Sequence, residues 1–239
     1  MDTHTYQTEG YRRNGGVSTF LVVFGIFVLC VCLFVGIFHL NGLQSTEVEF
    51  PQKYYFLARE CEETTSSAVA GQVYFSGGAG YLLEANGQSA VALACYFTQE
   101  EAESVQRTLS EKGTETLILE MAPKTVTLHG EKTEEKERIL SNAKTLDTCA
   151  KILYDAANGL ERTTLSQEEA RAAVRGVVKV LSGLRTENGS ECYSRWNVCL
   201  KEAERRGIEI AEGILFAKDL RYLQVQLCYS AATIGGYLS

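Results

Sequence analysis

The sequence predicts an α+β protein with three parts: a single N-terminal transmembrane helix, a β-α-β-β-α-β domain of the split βαβ type, and an antiparallel helical bundle. Three observations predict this class. Residues 17–40 contain no charge, an Asn86-Gly87 pair separates two apolar runs, and apolar residues recur at helical spacing after Lys132. The predicted boundaries are a cytoplasmic tail at 1–16, the anchor at 17–40, a linker at 41–52, the split βαβ domain at 53–122, a linker at 123–131 and the bundle at 132–239.

The uncharged run at 17–40 is long enough to cross a bilayer. As a helix, its roughly 24 residues extend about 36 Å, against a hydrocarbon core of about 30 Å. A cleaved signal peptide is the competing interpretation, but the run exceeds a typical signal core and no small-residue cleavage site follows it. Arg12 and Arg13 precede the run, and the next basic residue is Lys53. The positive-inside rule therefore predicts a single-pass cell-membrane protein with a cytoplasmic N-terminus and an extracytoplasmic C-terminal region.

Composition argues against nucleic acid as a partner. The 239 residues carry a net charge of −7, and neither residues 51–130 nor residues 131–239 have a basic excess. Polyanion binding depends on Lys and Arg that neutralise phosphates. We expect no nucleic-acid partner.

The cysteines leave two interpretations open. Two of the eight cysteines, Cys30 and Cys32, lie in the predicted span, so six remain outside it. These six are either structural disulfides or buried thiols, and their spacing selects no pairing. The one exported histidine, His129, lies in the predicted linker, and we expect neither a metal site nor a cofactor.

Local patterns define the elements of the split βαβ domain. Residues 54–59 are aromatic-rich and predict a strand, and residues 68–75 predict a helix that ends at Gly77-Gly78. Asn86-Gly87 predicts a tight hairpin between strands at 81–84 and 90–96. Thr98 and Glu101 form a capping box at the start of a second helix, and residues 114–121 predict the last strand. Right-handed crossovers then predict an antiparallel sheet with both helices on one face and the other face open.

Two half-motifs in this domain resemble the SPOR (sporulation-related) family. They are Tyr55-Phe56-Leu57-Ala58 and a run at 90–98 that continues into a helix as Gln99-Glu100-Glu101-Ala102-Glu103. The resemblance covers about thirty per cent of the chain. Leu57 stands where the family usually has Gln, Ala90 and Ala92 stand where Arg is common, and Ala94-Cys95 replaces Gly-Pro.

The resemblance implies a peptidoglycan-binding module on a single-pass inner-membrane anchor, recruited to septal glycan during cell division or sporulation. The predicted anchor agrees with this implication. On the open sheet face, tyrosines would stack on sugars and Arg59 would supply hydrogen bonds. The predicted glycan-binding residues are Tyr55, Leu57, Arg59, Tyr81, Ala92 and Tyr96. The alternative is that these aromatics are packing residues and that another domain or subunit covers the face.

After residue 132 the apolar residues follow helical stripes. One stripe ends near Asn158-Gly159, a second follows the capping box at Ser166–Glu169, and a third begins near Cys192 after Asn188-Gly189-Ser190. A last stripe runs from Leu220 to Ile234, either continuous with the third or separated from it by a bend near 213–219. Short connections predict an antiparallel bundle. We expect this bundle to dock an envelope or divisome protein, or a second copy of the chain in a homodimer.

No pattern in the chain predicts catalysis. The carboxylate pairs lie at helix starts, where the helix dipole explains them, and the glycines at 77–80 follow no strand and carry no Gly-Lys-Ser/Thr. We therefore expect a non-enzyme. The first hypothesis is a membrane-anchored envelope protein that binds peptidoglycan glycan strands. The second is a non-catalytic, membrane-tethered scaffold whose sheet binds protein.

Overall fold

A computed structural model of the chain describes residues 45–50, 52–85, 87–123, 125–129, 133–184 and 191–233. The predicted tail and anchor at 1–40, Asn86, the break at 188–190 and Ile234 lie outside the described residues. Within the described part of the chain, no helix is both long enough and apolar enough to cross a membrane.

The chain divides into two units. The first comprises residues 1–45 and 129–131, of which Ser45 and His129 are described, and the second comprises residues 46–128 and 132–239. Strand β1, Ser45–Val48, pairs with β6, Val126–His129, so His129 lies in a strand rather than in an irregular linker. The description below concerns the second unit.

The second unit begins with the predicted β-α-β-β-α-β series. Its elements are β2 (Tyr54–Cys61), a short 3₁₀ turn (Glu63–Thr65), α1 (Ser66–Phe75), β3 (Tyr81–Ala85), β4 (Gln88–Tyr96), α2 (Gln99–Glu111) and β5 (Leu117–Met121). One half of the predicted capping box of α2 is confirmed, because the Glu101 N–H donates to Thr98 Oγ1 at 3.3 Å. The Glu101 carboxylate instead accepts a hydrogen bond from the Tyr154 hydroxyl. The predicted hairpin is also confirmed, with Ala85 opposite Gln88 and Gly87 at φ +78°.

These four strands form an antiparallel sheet in the order β3-β4-β2-β5. The register shifts between Leu57 and Ala58, which lie opposite Ala94 and Ala92 respectively. Leu93 is the extra residue of a bulge, so Ala92 and Cys95 project toward the same side of the sheet although three positions separate them.

Four helices follow, as the apolar stripes predict. They are α3 (Thr133–Glu161), α4 (Gln167–Leu184), α5 (Glu191–Glu212) and α6 (Ala217–Ala232). The third and last stripes are separate helices, because residues 213–216 interrupt them. Helix α6 is buried on nearly all sides between α3 and the sheet. A helix that is apolar or buried all round is a core helix, so α6 is the central element of this unit.

The sheet and the helical region share one hydrophobic core. Phe56 and Cys95 from the sheet belong to the same buried cluster as Leu153, Leu200 and Leu223 from the helices. A smaller cluster forms on the other side of the sheet around Leu57, Ala94, Tyr96 and Ala102 of α2. The structure thus differs from the expected pair of separately packed domains at 53–122 and 132–239, because α6 fills the space between them.

The five cysteines whose side chains the structure describes are thiols. Cys95, Cys149 and Cys228 are buried, and Cys61 and Cys199 are half-buried. Of the two interpretations that the sequence leaves open, thiols rather than disulfides describe these five residues, and the side chain of Cys192 lies outside the described part of the structure.

Candidate functional site

The structure separates the predicted glycan-binding residues onto different surfaces. Leu57 and Tyr96 are buried in the cluster with α2, and half-buried Tyr55 packs against that cluster. Ala92 is fully buried on the opposite side of the sheet, where its register partner Tyr81 packs against the main core. Arg59 is exposed at a shallow surface beside Glu60 and Glu115. These six side chains do not form one binding surface.

The prediction of an open sheet face is wrong, because α6 covers it. The Gln224 amide donates to the backbone carbonyl of Cys95 at 2.8 Å, and the Tyr229 hydroxyl donates to the carbonyl of Glu84 at 3.1 Å. The Tyr229 ring also lies edge-on to Phe56, with 6.5 Å between centroids. The helix therefore occupies the surface on which a glycan chain was expected to lie.

The predicted sugar-stacking tyrosines contact protein instead. Tyr81 lies 5.3 Å from the Tyr222 ring and 5.7 Å from the Tyr229 ring, centroid to centroid. Tyr96 packs edge-on against Tyr154 of α3, whose hydroxyl hydrogen-bonds the Glu101 carboxylate. Burial, together with this hydrogen bond, raises the pKa of Tyr154 to about 12. The tyrosines act as packing residues, as the alternative interpretation of the sequence states.

A groove of about 520 Å³ opens at one edge of the central helix. Its walls are mainly apolar and come from four parts of the unit: Phe50, Tyr54, Pro123, Leu140, Ala143 and Ala231. Asp147 also lines it and forms an ion pair of 2.7 Å with Lys151 through one carboxylate oxygen.

Three of the four most exposed large apolar side chains in the described part of the chain lie near the other end of α6. Phe75, the last residue of α1, is 83% exposed, and Ile214 and Phe216, just before α6, are 80% and 53% exposed. The Lys218 ammonium lies 4.4 Å from the Tyr74 ring centroid, 5.5 Å from that of Phe75 and 5.4 Å from that of Phe216. We call Tyr74, Phe75, Ile214, Phe216 and Lys218 the aromatic patch.

One buried carboxylate holds the two halves of the aromatic patch together. Asp219 accepts a hydrogen bond from the Phe216 backbone N–H at 2.9 Å and a second from the Tyr74 hydroxyl. Burial and the Asp219 hydrogen bond raise the pKa of Tyr74 to about 12, so Tyr74 stays a donor at neutral pH. Tyr74 belongs to α1, whereas Asp219 belongs to the first turn of α6, so this contact fixes two chain segments against each other.

A second contact fixes the loop after α1. Arg221 Nη1 donates to the Gly77 carbonyl at 3.0 Å, and the guanidinium forms a two-point ion pair with Glu161 at the end of α3. This pairing lowers the pKa of the Glu161 carboxyl. Contacts among α1, α3 and α6 thus fix the backbone that carries the aromatic patch.

Sequence reasoning assigns Phe75 to a helix end and residues 213–219 to either a bend or a continuous helix. It does not bring the two segments together. The signal that could have drawn attention to them is the pair of large apolar residues, Ile214 and Phe216, in a segment between helices. An apolar residue in a connection is either buried by a neighbour or exposed, and the sequence does not distinguish these cases.

In the described part of the chain, no group of three or more His, Cys, Asp or Glu side chains could hold a metal ion. Comparisons with protein-family models, with curated proteins and with solved structures find no match for this chain. The chemistry of the aromatic patch and of the core is therefore the basis for a functional assignment.

Proposed function

We propose that this protein is a non-catalytic, membrane-tethered interaction scaffold of a bacterial envelope, which docks a protein partner on the aromatic patch. The membrane tether is the predicted span at 17–40, and the envelope setting follows from the SPOR resemblance. The observation that carries the proposal is the exposure of Phe75 and Phe216 around one lysine, with exposed Ile214 two residues before Phe216 in the chain.

Exposed apolar residues that occur singly are ordinary, but a cluster of large ones suggests an interface. Transfer of a Phe or Ile side chain from water into an interface is worth about 1.5–3 kcal/mol for complete burial. Aromatic residues at the centre of an interface commonly contribute most of its affinity. Phe75 and Phe216 flank the same ammonium group and are available for this role.

Lys218 supports a partner with both apolar and acidic side chains. Its ammonium is held over three aromatic rings, at 4.4 to 5.5 Å from their centroids. A carboxylate from a partner would pair with this ammonium while apolar side chains cover the rings. The complementary surface is therefore an apolar segment with an Asp or Glu near its centre.

The rigid mounting of the patch also favours binding. Asp219 fixes Phe216 to Tyr74, and Arg221 fixes the loop that follows Phe75. A surface that is ordered before binding loses less conformational entropy when the partner docks. The sheet face is not available to a partner in the same way, because α6 already covers it.

Glycan binding, the first hypothesis, has less support. Sugar sites combine aromatic faces with polar groups that satisfy hydroxyls. Leu57, Ala92 and Tyr96 are buried, and only Arg59 of the predicted residues is strongly exposed. Purified sacculi distinguish the two hypotheses: the full chain in detergent is expected to stay in the supernatant, like a control protein without wall affinity.

The direct test places a photocrosslinking amino acid at position 75 of the full chain in cells. We expect one protein adduct, identified by mass spectrometry, and none from the same probe at the exposed position Glu103 on α2. Reconstituted with the purified partner, Phe216→Ser should weaken binding at least about tenfold, which corresponds to about 1.4 kcal/mol.

Two outcomes would overturn the scaffold proposal. One is unchanged affinity of Phe75→Ser and Phe216→Ser for the crosslinked protein, which would mean that the patch is not the docking surface. The other is sedimentation with sacculi that Arg59→Ala abolishes, which would return the function to glycan binding. Thermal unfolding of each variant serves as the folding control.

A further inference from the structure

Two cysteines meet where the central helix crosses the sheet. Cys95 belongs to β4 and Cys228 to α6, and both side chains are completely buried in the main core. They lie far apart in the sequence, so the fold alone brings them together. The other cysteines whose side chains the structure describes are the buried Cys149 of α3 and the half-buried Cys61 and Cys199.

Gln224 contacts both cysteine residues. Its Nε2 atom donates to the backbone carbonyl of Cys95 at 2.8 Å and lies 4.0 Å from the sulfur of Cys228. Residues 224 and 228 are one helical turn apart, so they share the face of α6 that lies on β4. Burial, and after it the Cys228 side chain, raise the pKa of the Cys95 thiol.

We propose that Cys95 and Cys228 form a redox pair that closes into a disulfide and fastens the central helix to the sheet. For Cys149, in contrast, burial alone raises the pKa of the thiol, to about 11. The proposal goes beyond the scaffold function and does not depend on the aromatic patch.

The oxidant is a protein or small-molecule disulfide. One cysteine thiolate attacks this disulfide, forms a mixed disulfide and releases the first thiol of the oxidant. The second cysteine thiolate then attacks the mixed disulfide, so the Cys95–Cys228 bond forms and the second thiol leaves. The two cysteines lose two electrons, their protons pass to solvent or to the leaving thiolates, and the oxidant is reduced to two thiols.

Burial determines when this reaction can occur. Desolvation raises the pKa of the Cys95 thiol well above its ordinary value, so little of the reactive thiolate exists in the folded core. Exchange with an oxidant therefore requires that α6 move away from β4, or that the bond form before α6 docks. Once formed, the bond is equally protected from reduction.

The crosslink would act on the element that organises the unit. A disulfide stabilises mainly by restricting the unfolded chain, and more so when it closes a long loop. The loop from Cys95 to Cys228 includes α2, β5, β6 and all of α3, α4 and α5. In the oxidised protein, α6 cannot leave the sheet face that it covers.

Peptide mapping of the full chain in detergent tests the pairing directly. Free thiols are alkylated during lysis, and a glutamyl endopeptidase then cuts after Glu84, Glu100 and Glu212 under non-reducing conditions. The peptides 85–100 and 213–239 each contain one cysteine, Cys95 and Cys228 respectively. We expect the two peptides to be linked in protein isolated from an oxidising compartment. We also expect the link in reduced protein that is treated with oxidised glutathione in the presence of urea, which loosens the core.

Stability provides a second measurement. The oxidised full chain should unfold at a higher midpoint than the same sample after dithiothreitol, and the difference should persist in Cys149→Ala. The difference should disappear in the double variant Cys95→Ala/Cys228→Ala. Because the oxidised and the dithiothreitol-treated sample are then the same variant, the comparison does not depend on how stable that variant is. Alkylated Cys95 and Cys228 in every oxidised sample, or a midpoint that dithiothreitol leaves unchanged, would overturn the proposal.

Discussion

The side-chain amide of Gln224 donates a hydrogen bond of 2.8 Å to the backbone carbonyl of Cys95, inside the core between the central helix and the sheet. Both residues are completely buried. The Gln224 carbonyl oxygen has no hydrogen-bond partner within the described part of the chain. A buried carbonyl without a donor costs about 1–3 kcal/mol. The favourable contribution of the Gln224 amide therefore comes from its nitrogen, which donates to the sheet.

Gln224→Glu is expected to destabilise the fold in a pH-dependent way. The variant keeps the shape of the side chain, but its carboxyl group can donate to the Cys95 carbonyl only when protonated. Burial raises the folded-state pKa of such a carboxyl above the unfolded value of about 4.3, by up to about 3–5 units. The stability deficit against wild type is then small below about pH 4 and increases to about 4 kcal/mol as the pH rises toward neutrality.

Urea unfolding of the full chain at several pH values measures this deficit. The exposed Gln88→Glu provides the matched control and should show no comparable dependence. A Gln224→Glu deficit that is equal in acid and at neutral pH would mean that Gln224 is not a buried donor to the sheet.

Local chemistry in the sequence is sufficient to predict much of the fold. Asn86-Gly87 requires a tight hairpin, Thr98 and Glu101 begin α2, and the apolar stripes after residue 132 produce four helices. Each of these features depends on residues that are close in the chain. They can therefore be predicted from the sequence without knowing what packs against them.

The covering of the sheet face could not be predicted in the same way. Phe56 and Tyr81 fit an open, aromatic sheet face as well as a buried one, and the difference depends on α6, more than a hundred residues later in the chain. The bulge at Leu93 also places Ala92 and Cys95 on one side, whereas strict alternation predicts opposite sides. The aromatic patch depends on a similar long-range contact between Tyr74 and Asp219.

Two helix glycines should respond in opposite directions to replacement by alanine. A Cβ atom at Gly207 of α5 would lie 2.5 Å from a methyl group of Val178 on α4, whereas a Cβ at Gly176 would meet nothing within 4 Å. Gly207→Ala is expected to cost about 1–3 kcal/mol through overpacking. Gly176→Ala should stabilise by about 0.5–1 kcal/mol because alanine has the higher helix propensity.

Chemical denaturation compares these two variants under the same conditions. Both variants replace a helical glycine by alanine. The difference between their changes in the free energy of unfolding therefore isolates the close contact of α4 with α5. Equal effects of both substitutions would contradict that contact.

The Glu161–Arg221 ion pair predicts a loss of stability in acid. The Arg221 hydrogen bond lowers the pKa of the Glu161 carboxyl below its ordinary value of 4.5. A carboxyl whose folded pKa is lowered stabilises the fold above its unfolded pKa, and that contribution is lost as the pH falls through the folded value. Because Glu161 is half-exposed, the effect should be less than about 1 kcal/mol.

Glu161→Gln removes this titration. Wild type should be slightly more stable than Glu161→Gln at neutral pH, and the two should converge as the pH falls below the folded-state pKa of the Glu161 carboxyl. Exposed Glu103→Gln, on a helix without this ion pair, is the control. A constant difference across the acid range would mean that the carboxylate charge does not contribute.

The aromatic patch should be dispensable for folding, unlike the aromatic core. Phe75 is 83% exposed, so Phe75→Ser should change the free energy of unfolding by less than about 0.5 kcal/mol. Phe56 is completely buried against Tyr229 and Tyr54, and Phe56→Ala should cost about 3–5 kcal/mol. Thermal unfolding of both variants measures the contrast. A large loss of stability in Phe75→Ser would mean that this side chain packs within the fold, and it could then not be free to bind a partner.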